Sequence, residues 1–386
     1  MIFEKANAIK DDIIKIRRDL HQIPELGLST PKTKAYIKKE LEALGLEIKE
    51  YGESGLSALI KGREEGKTIL LRADMDALPM KENSGLEFEA KGDAAHTCGH
   101  DLHSSMLLGA ARLLVERKDE FKGNIKLMFQ PAEEIFKGSE MMIEEGILED
   151  PKVDAALALH TELQGEPGTI YYNEGYMTTS CDNFKITITG KGGHGAYPHT
   201  TIDPIHVGVM LYLSFGELVS REVPPSEVVT LTFGQFSGGS NSNIIPEIVE
   251  MQGTMRSYSP EVREKLKKRM LEIVEGLAIT TGAKIDLDFF AGVPSTYSDP
   301  DLTREFIEIL KENVPELKLV GDHRIMASED MANVSVKVPT VYLMLDSKTA
   351  GNDFSHHNPA VNFNEDAIPY GISTFVAIAI NYLNNN

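Results

Sequence analysis

Apolar positions near the start of the chain recur at Ile9, Ile13, Ile16 and Leu20, a spacing that draws one stripe along a helix. The next segment is punctuated as a helix at both ends. Ser29-Thr30 stands in the capping position, Pro31 occupies the first turn where no N–H is needed, and Gly45 follows Leu44. The pattern then shortens to strand-like runs at 46–51, 57–61, 68–72, 124–129 and 153–159. Between two of these runs, residues 102–115 are apolar and rich in Ala and Leu, the pattern of a buried helix. Strands alternating with helices predict an α/β layer structure with a largely parallel sheet.

The rhythm changes near residue 183. Strand patterns at 184–189, 228–236, 248–256 and 284–289 enclose helical patterns at 203–220 and 260–281. The order β-α-β-β-α-β is the ferredoxin-like signature of a compact α+β domain. After Pro294-Ser295 the α/β pattern resumes and runs to a last helix at 365–383. The expected organisation is an outer α/β domain at 1–182 and 295–386, interrupted by an α+β domain at 183–294.

Composition narrows the function classes. A chain of 386 residues has room for two cores, and 41% hydrophobic residues with a mean hydropathy of −0.20 fit a soluble globular protein. A net charge of −20 repels phosphate backbones and anionic lipid, so neither nucleic acid nor a membrane surface is an expected partner. Two cysteines, Cys98 and Cys181, make no disulfide framework and suit a reducing compartment. The first twenty residues lack a basic region, an apolar core and a small-residue cleavage site. The apolar run at 375–380 is too short to span a bilayer. The expectation is a cytoplasmic protein.

The densest chemistry is His96-Thr97-Cys98-Gly99-His100-Asp101-Leu102-His103. Thiolate, imidazole and carboxylate so close together suit zinc or a similar metal, and a turn at Gly99 could aim Cys98 and His100 inward. Alone, it could equally be a polar loop. The run at 124–129 ends in Gln130-Pro131-Ala132-Glu133-Glu134, where one carboxylate could ligate while its neighbour handles protons, or both could open a helix. The run at 153–159 ends in His160-Thr161-Glu162, and the run at 68–72 leads to Asp74 and Asp76. His356-His357-Asn358-Pro359 precedes the last helix. Potential ligands at several strand ends of one sheet are not what random placement produces, and open α/β sheets bind ligands at that edge. The glycine-rich stretch at 190–199, with His194, lacks the order of a phosphate loop.

RRDLHQIPELG at 17–27, RADMDALP at 72–79, CGHDLH at 98–103, QPAEE at 130–134, GKGGHGAYPH at 190–199 and HNP at 357–359 occur in that order. Together they resemble the amidohydrolase branch of the M20 metallopeptidases: aminoacylases, hippurate hydrolases, N-acetyl-diaminopimelate deacetylases and auxin-conjugate hydrolases. The resemblance spans nearly the whole chain and implies a catalytic α/β domain interrupted by a ferredoxin-like dimerisation or lid domain. It implies two divalent metal ions, zinc or else manganese, cobalt or nickel, on Cys98, His100, Glu134, His160 and His357. Glu133 would be the general base and acid, and Asp76 would orient a ligand. His194 would be lent to the neighbouring subunit of a homodimer, and Asn243 and Arg256 would contact the substrate carboxylate. The implied reaction splits an N-acyl amino acid into a carboxylic acid and a free amino acid. A dipeptidase or carboxypeptidase of the same fold is the alternative, and a catalytically silent binding homologue a further one. The chain departs from the family pattern at Met331, after Ser328-Glu329-Asp330, and in the long polar segment 346–354.

A cysteine hydrolase with Cys98 as nucleophile and His100 or His103 as base fits less well, because Glu134, His160 and His357 then have no task. A structural metal site is usually closed by four ligands, whereas an acid pair at a sheet edge suits an open one. The thiol readings separate experimentally. With metal present, Cys98 should resist iodoacetamide, whereas rapid alkylation with parallel loss of hydrolysis would identify a nucleophile.

Overall fold

The computed structural model describes all 386 residues, and the chain divides into two compact units. The first comprises Met1–Met177, Thr296–Arg324 and Asp330–Asn386. Its eight-stranded sheet runs Ile48–Tyr51, Gly55–Lys61, Asn124–Gln130, Thr68–Asp74, Ala155–Glu162, Thr340–Asp346, Thr169–Tyr171 and Lys318–Val320. The four central strands are mutually parallel, and antiparallel pairing begins on either side of them. Thr68–Asp74 and Thr340–Asp346 are buried at every position, as expected where helices cover both faces of a parallel sheet. The result is the mixed, largely parallel α/β fold predicted from the alternation.

Local signals place most of the helices. Thr30 precedes Pro31–Ala43, with Gly45 in the left-handed region just past its end. Asp299 caps Pro300–Asn313 by accepting the Leu302 N–H, and Leu302, Phe306, Ile309 and Leu310 bury one face. The N-terminal stripe forms a helix as expected, burying Ile13, Ile16 and Leu20, but the helical segment starts earlier. It breaks at Ile9 into Ile2–Ala8, which packs on Ile368–Asn385, and Lys10–His21, which packs on His100–Glu116. One straight helix could not follow both partners. The core strand Thr340–Asp346 has no counterpart in the sequence reading. Its continuous apolar run lacks the alternation that marks a half-exposed strand.

The second unit comprises Thr178–Ser295 and Ile325–Glu329. Its antiparallel sheet has the order Val229–Ser237, Ile248–Ser257, Cys181–Thr189, Lys284–Val293, which is the ferredoxin-like arrangement. Cys181–Thr189 alternates buried and half-buried positions, sending Phe184, Ile186 and Ile188 into a core with Val207, Leu211 and Phe215 of helix Pro204–Glu222 and Leu266 and Met270 of helix Pro260–Thr281. The unit opens at Thr178 and not at 183. Thr178 bridges Ile325 and Thr179 donates to Met326 O at 2.8 Å, which zips the 325–329 segment onto it. Neither cysteine forms a disulfide, and no helix is long and apolar enough to cross a membrane.

In the first unit, His100–Glu116 and Ile368–Asn385 approach closely through glycines. A Cβ on Gly109 would sit 2.5 Å from Ile372 Cδ1, and one on Gly371 would sit 2.1 Å from Met106 Sδ. Because His100 begins one of these helices, this packing sets where its imidazole lies. Gly109→Leu should destabilise the protein by ~1–3 kcal/mol through overpacking, read as a lower urea midpoint at unchanged slope.

Candidate metal centre

Register brings the chemistry together. Asp74 pairs with Gln130, and the pairing of Arg72 with Ala158 puts His160 level with Asp74. Three parallel strands therefore end at one edge and deliver Asp76, Glu133 with Glu134, and His160 side by side. Helix His100–Glu116 starts at the same edge, after Gly99 turns the chain at φ +87°. No side chain fits at Gly99, because its Cβ would lie 2.9 Å from Thr161 Oγ1.

Asp76 accepts the backbone N–H groups of Glu133 at 3.0 Å and Glu134 at 3.2 Å, which fixes the turn carrying both carboxylates. Its Oδ1 lies 3.4 Å from His100 Nδ1. His100 Nε2 faces Asp74 at 3.8 Å, Glu134 at 3.8 Å and Glu133 at 3.9 Å. Burial alone would push this imidazole down, but Asp74, Asp76 and Glu134 outweigh it and lift it to about 10. The site is built for positive charge.

On the other side, Cys98 Sγ lies 3.5 Å from His160 Nε2, and His357 Nε2 lies 3.5 Å from Glu134 Oε2. His160 Nδ1 donates to Thr161 O at 2.8 Å, which leaves the Nε2 lone pair facing the thiol. Burial, then His103, holds His160 well below the usual histidine range. The adjacent histidines have separate places. His356 is half-buried against Thr161 Oγ1 at 3.2 Å, whereas His357 adopts φ +64° and faces Glu134.

The donors fit a metal pair. Cys98, Glu134 and His357 form one group whose donor atoms lie within 4.8 Å of one another, and His100, Glu133 and Glu134 form another. Glu134 belongs to both. Nε2 of His100 and Oε1 of Glu134 are buried without a hydrogen-bond partner, as suits atoms that a cation would engage, while His100 Nδ1 faces Asp76. Asp74 and His103 also lie close by but are already engaged. Thr161 N–H donates to His103 Nε2 at 2.9 Å, so the His103 proton is on Nδ1 and is given to Asp74 at 2.6 Å. Arg72 holds Asp74 from its other side at 2.6 Å.

The remaining expected site residues lie in the second unit. His194 pairs with Ile244 in a two-residue ribbon, and Gly195 N–H donates to Asn243 O at 2.8 Å, so His194 and Asn243 are neighbours. Ala196 N–H donates to His194 Nδ1 at 3.1 Å, which leaves Nε2–H free to donate. Arg256 is steadied by Ser328 Oγ at 2.6 Å.

These features find their match among known proteins. Residues 70–381 match the profile of Peptidase family M20/M25/M40. The chain belongs to the M20 peptidase family. Among similar members, a "Thermostable carboxypeptidase 1" of Saccharolobus solfataricus is 35% identical over 97% of this chain and 96% of its own length. An "N-acetyl-L-cysteine deacetylase" of Bacillus subtilis is 36% identical over 94% and 86%. The crystal structure of a Bacillus subtilis "dinuclear metal binding peptidase from M20 family" superposes with a TM-score of 0.85 at 31% identity, covering 98% of this chain and 99% of that one.

Sequence reasoning missed one feature of this M20 chain, a buried charge network behind the site. His21 places Nδ1 2.9 Å from Asp101 and Nε2 3.0 Å from Glu82, while Arg17 Nε lies 2.7 Å from Asp101. Arg17 and His21 stand within the RRDLHQIPELG motif, which was the available signal. Burial lowers His21, but Asp101 and Glu82 outweigh it and hold its pKa above the ordinary 6.5. The folded state thus binds this proton more tightly than the unfolded chain. Its stabilisation is complete below pH 6.5 and is lost as pH rises through the folded value. The unfolding free energies of metal-free wild type and His21→Gln should therefore differ most below pH 6.5 and converge on the alkaline side.

Proposed function

We propose that this M20 chain is a metal-dependent amidohydrolase that cleaves N-acyl amino acids to a carboxylic acid and a free amino acid. The observation that carries the reading is Glu133, a buried carboxylate one residue from Glu134, which belongs to both donor groups. Names of relatives support the substrate class, one deacetylating N-acetyl-L-cysteine. Carboxypeptidase action on short peptides is the second reading, favoured by the name of another.

Two divalent ions, zinc by the thiolate–imidazole chemistry of the donors or else manganese, cobalt or nickel, would lower the pKa of water toward ~7 and polarise the scissile carbonyl. Cys98, His100, Glu134, His160 and His357 would hold them. Glu133 takes a proton as water oxygen adds to the amide carbon, then gives it to the nitrogen as the C–N bond breaks. Asp76 keeps Glu133 and Glu134 at fixed separation through their two N–H groups. His194 donates from Nε2 to the developing oxyanion, and Asn243 and Arg256 bind the substrate carboxylate. Asp76 and His194 act with Glu133 but exchange no proton with it.

The working unit is a homodimer with the second unit at its interface. Val209, Tyr212 and Leu213 on helix Pro204–Glu222 are 44%, 51% and 62% exposed, an apolar face that a second copy would cover. A reducing cytoplasm suits the thiol ligand.

A strong chelator should abolish hydrolysis, with recovery on adding Zn²⁺, Mn²⁺, Co²⁺ or Ni²⁺. Glu133→Gln should retain metal and lose turnover by at least ~10²-fold. Glu134→Gln should lose metal, and exchanged phenotypes would reverse the two roles. Substrates varied separately in acyl group and amino acid, assayed beside dipeptides, distinguish the two readings.

If His194 acts across the dimer, mixing His194→Ala subunits with Glu133→Gln subunits should restore up to about a quarter of wild-type activity, because one site in each mixed dimer is intact. Mixed dimers verified by mass spectrometry without recovery would count against a shared site.

A further inference from the structure

The buried network around His21 reaches two of the segments that carry the proposed ligands, the start of the His100 helix and the His357 turn. Asp101, on one side of the ring, follows His100 directly in helix His100–Glu116. Glu82, on the other side, belongs to the irregular segment 79–97, which leads into Cys98. Glu82 is itself bound in place: the Ser84 hydroxyl donates to Oε1 and Ala90 N–H donates to Oε2 at 2.8 Å. One residue on, Asn83 N–H donates to Pro359 O at 2.8 Å, and at the far end of the segment Thr97 O accepts the His357 N–H at 2.9 Å. The 79–97 segment thus holds the His357 turn at two points, and it is tied to the body of the unit through His21. Phe88, in the same segment, lies beneath the guanidinium groups of Arg17 and Arg18 at 4.9 and 4.7 Å and edge-on to His21 at 5.3 Å.

This arrangement is more than packing requires. A buried ion pair contributes little net stability compared with well-packed apolar side chains, and its best-attested use is to fix one geometry among several. Both ring nitrogens of His21 face carboxylates, so the ring gives one N–H to each, and only a doubly protonated imidazole does so. The charges around the ring are Asp101 and Glu82 in contact with it and Arg17 beyond Asp101, with the His96 ring 6.2 Å away. His357 has reason to need support. A non-glycine residue in the left-handed region persists only where its surroundings hold it there, and the His357 N–H bond to Thr97 is part of that restraint.

We infer that His21 is a positioning residue: by clamping Asp101 and Glu82 together, it holds the His100 helix start and the His357 turn at the separation that two metal ions require. The inference rests on the metal assignment above. His21 touches neither substrate nor metal, and it acts through Asp101 on one side and through Glu82 and the 79–97 segment on the other. Removing it leaves every proposed ligand present but lets the two ligand-bearing segments move relative to each other.

The test is Co²⁺ binding to metal-free protein, followed by the thiolate-to-cobalt absorption of Cys98 against a competing chelator, with thermal unfolding of the same metal-free samples. His21→Gln and Glu82→Gln should each lower cobalt affinity at least tenfold and weaken or shift the thiolate band. The double variant should lose no more than the worse single one, because both break the same clamp. His21→Arg, which keeps the charge but not the ring geometry, should not restore affinity. Variants that melt earlier yet bind cobalt within twofold of wild type would overturn the proposal, as would additive losses in the double variant. Should His21→Gln fail to fold, Glu82→Gln decides, since it leaves the His21–Asp101 contact in place. A wild type with no thiolate band would instead refute the metal assignment, so the two failures are distinguishable.

Discussion

The convergence of carboxylates on one buried imidazole is the constraint on which the catalytic unit depends. Asp74, Asp76, Glu133 and Glu134 all come within 3.9 Å of His100. Carboxylates crowded around one ring also repel one another, so they persist together only if each is answered. Arg72 and His103 answer Asp74, and two backbone N–H groups answer Asp76. Glu134 lies against the rings of His100 and His357, at 3.8 and 3.5 Å. His100 Nε2 and Glu134 Oε1 are nonetheless buried without a hydrogen-bond partner. A cation held there would balance the crowded carboxylates.

Rigid elements hold this arrangement against its own repulsion. The two reciprocal glycine contacts lock the His100 helix to the C-terminal helix, and hydrogen bonds fix each side chain beyond the site in a single tautomer or orientation. Thr161 illustrates the economy of the design: its N–H sets the His103 proton, its carbonyl sets the His160 proton, and its hydroxyl donates to Cys98 O at 3.1 Å. Left-handed conformations at Ala132 and His357 flank the donor groups. Such residues cost about 1–3 kcal/mol each and persist where neighbouring bonds leave no alternative, here Lys137 N–H to Ala132 O and His357 N–H to Thr97 O. These bonds hold the donor-bearing turns in one conformation.

Much of this was legible in the sequence, for identifiable reasons. Alternation of period and turn residues are local properties, so the α/β class, the inserted ferredoxin-like pattern and most helices could be read directly. The strand ends bearing Asp76, Glu133, Glu134 and His160 were visible because polar residues directly after apolar runs stand out. The strand Thr340–Asp346 escaped because full burial on both faces erases alternation. The His21 network escaped because its members, at 17, 21, 82 and 101, share no single local pattern. Arg17 and His21 share one motif and Asp101 lies in another, but nothing local pairs them with each other or with Glu82.

The sequence by itself determined the inventory of chemistry: a thiol, several imidazoles and adjacent carboxylates, each tied to the end of an element. Only the tertiary structure decided how that inventory is used. The register of three parallel strands put Asp74, Gln130 and His160 on one level, and through-space contacts tied Asp74 to Arg72 and His103. The same contacts turned His356 toward Thr161 and His357 toward Glu134, a distinction between neighbouring identical residues that spacing cannot make. Periodicity is set by forces between residues close along the chain. Ligand choice and protonation are set by distances of a few ångströms between residues far apart along it, and those distances exist only once the strands have paired.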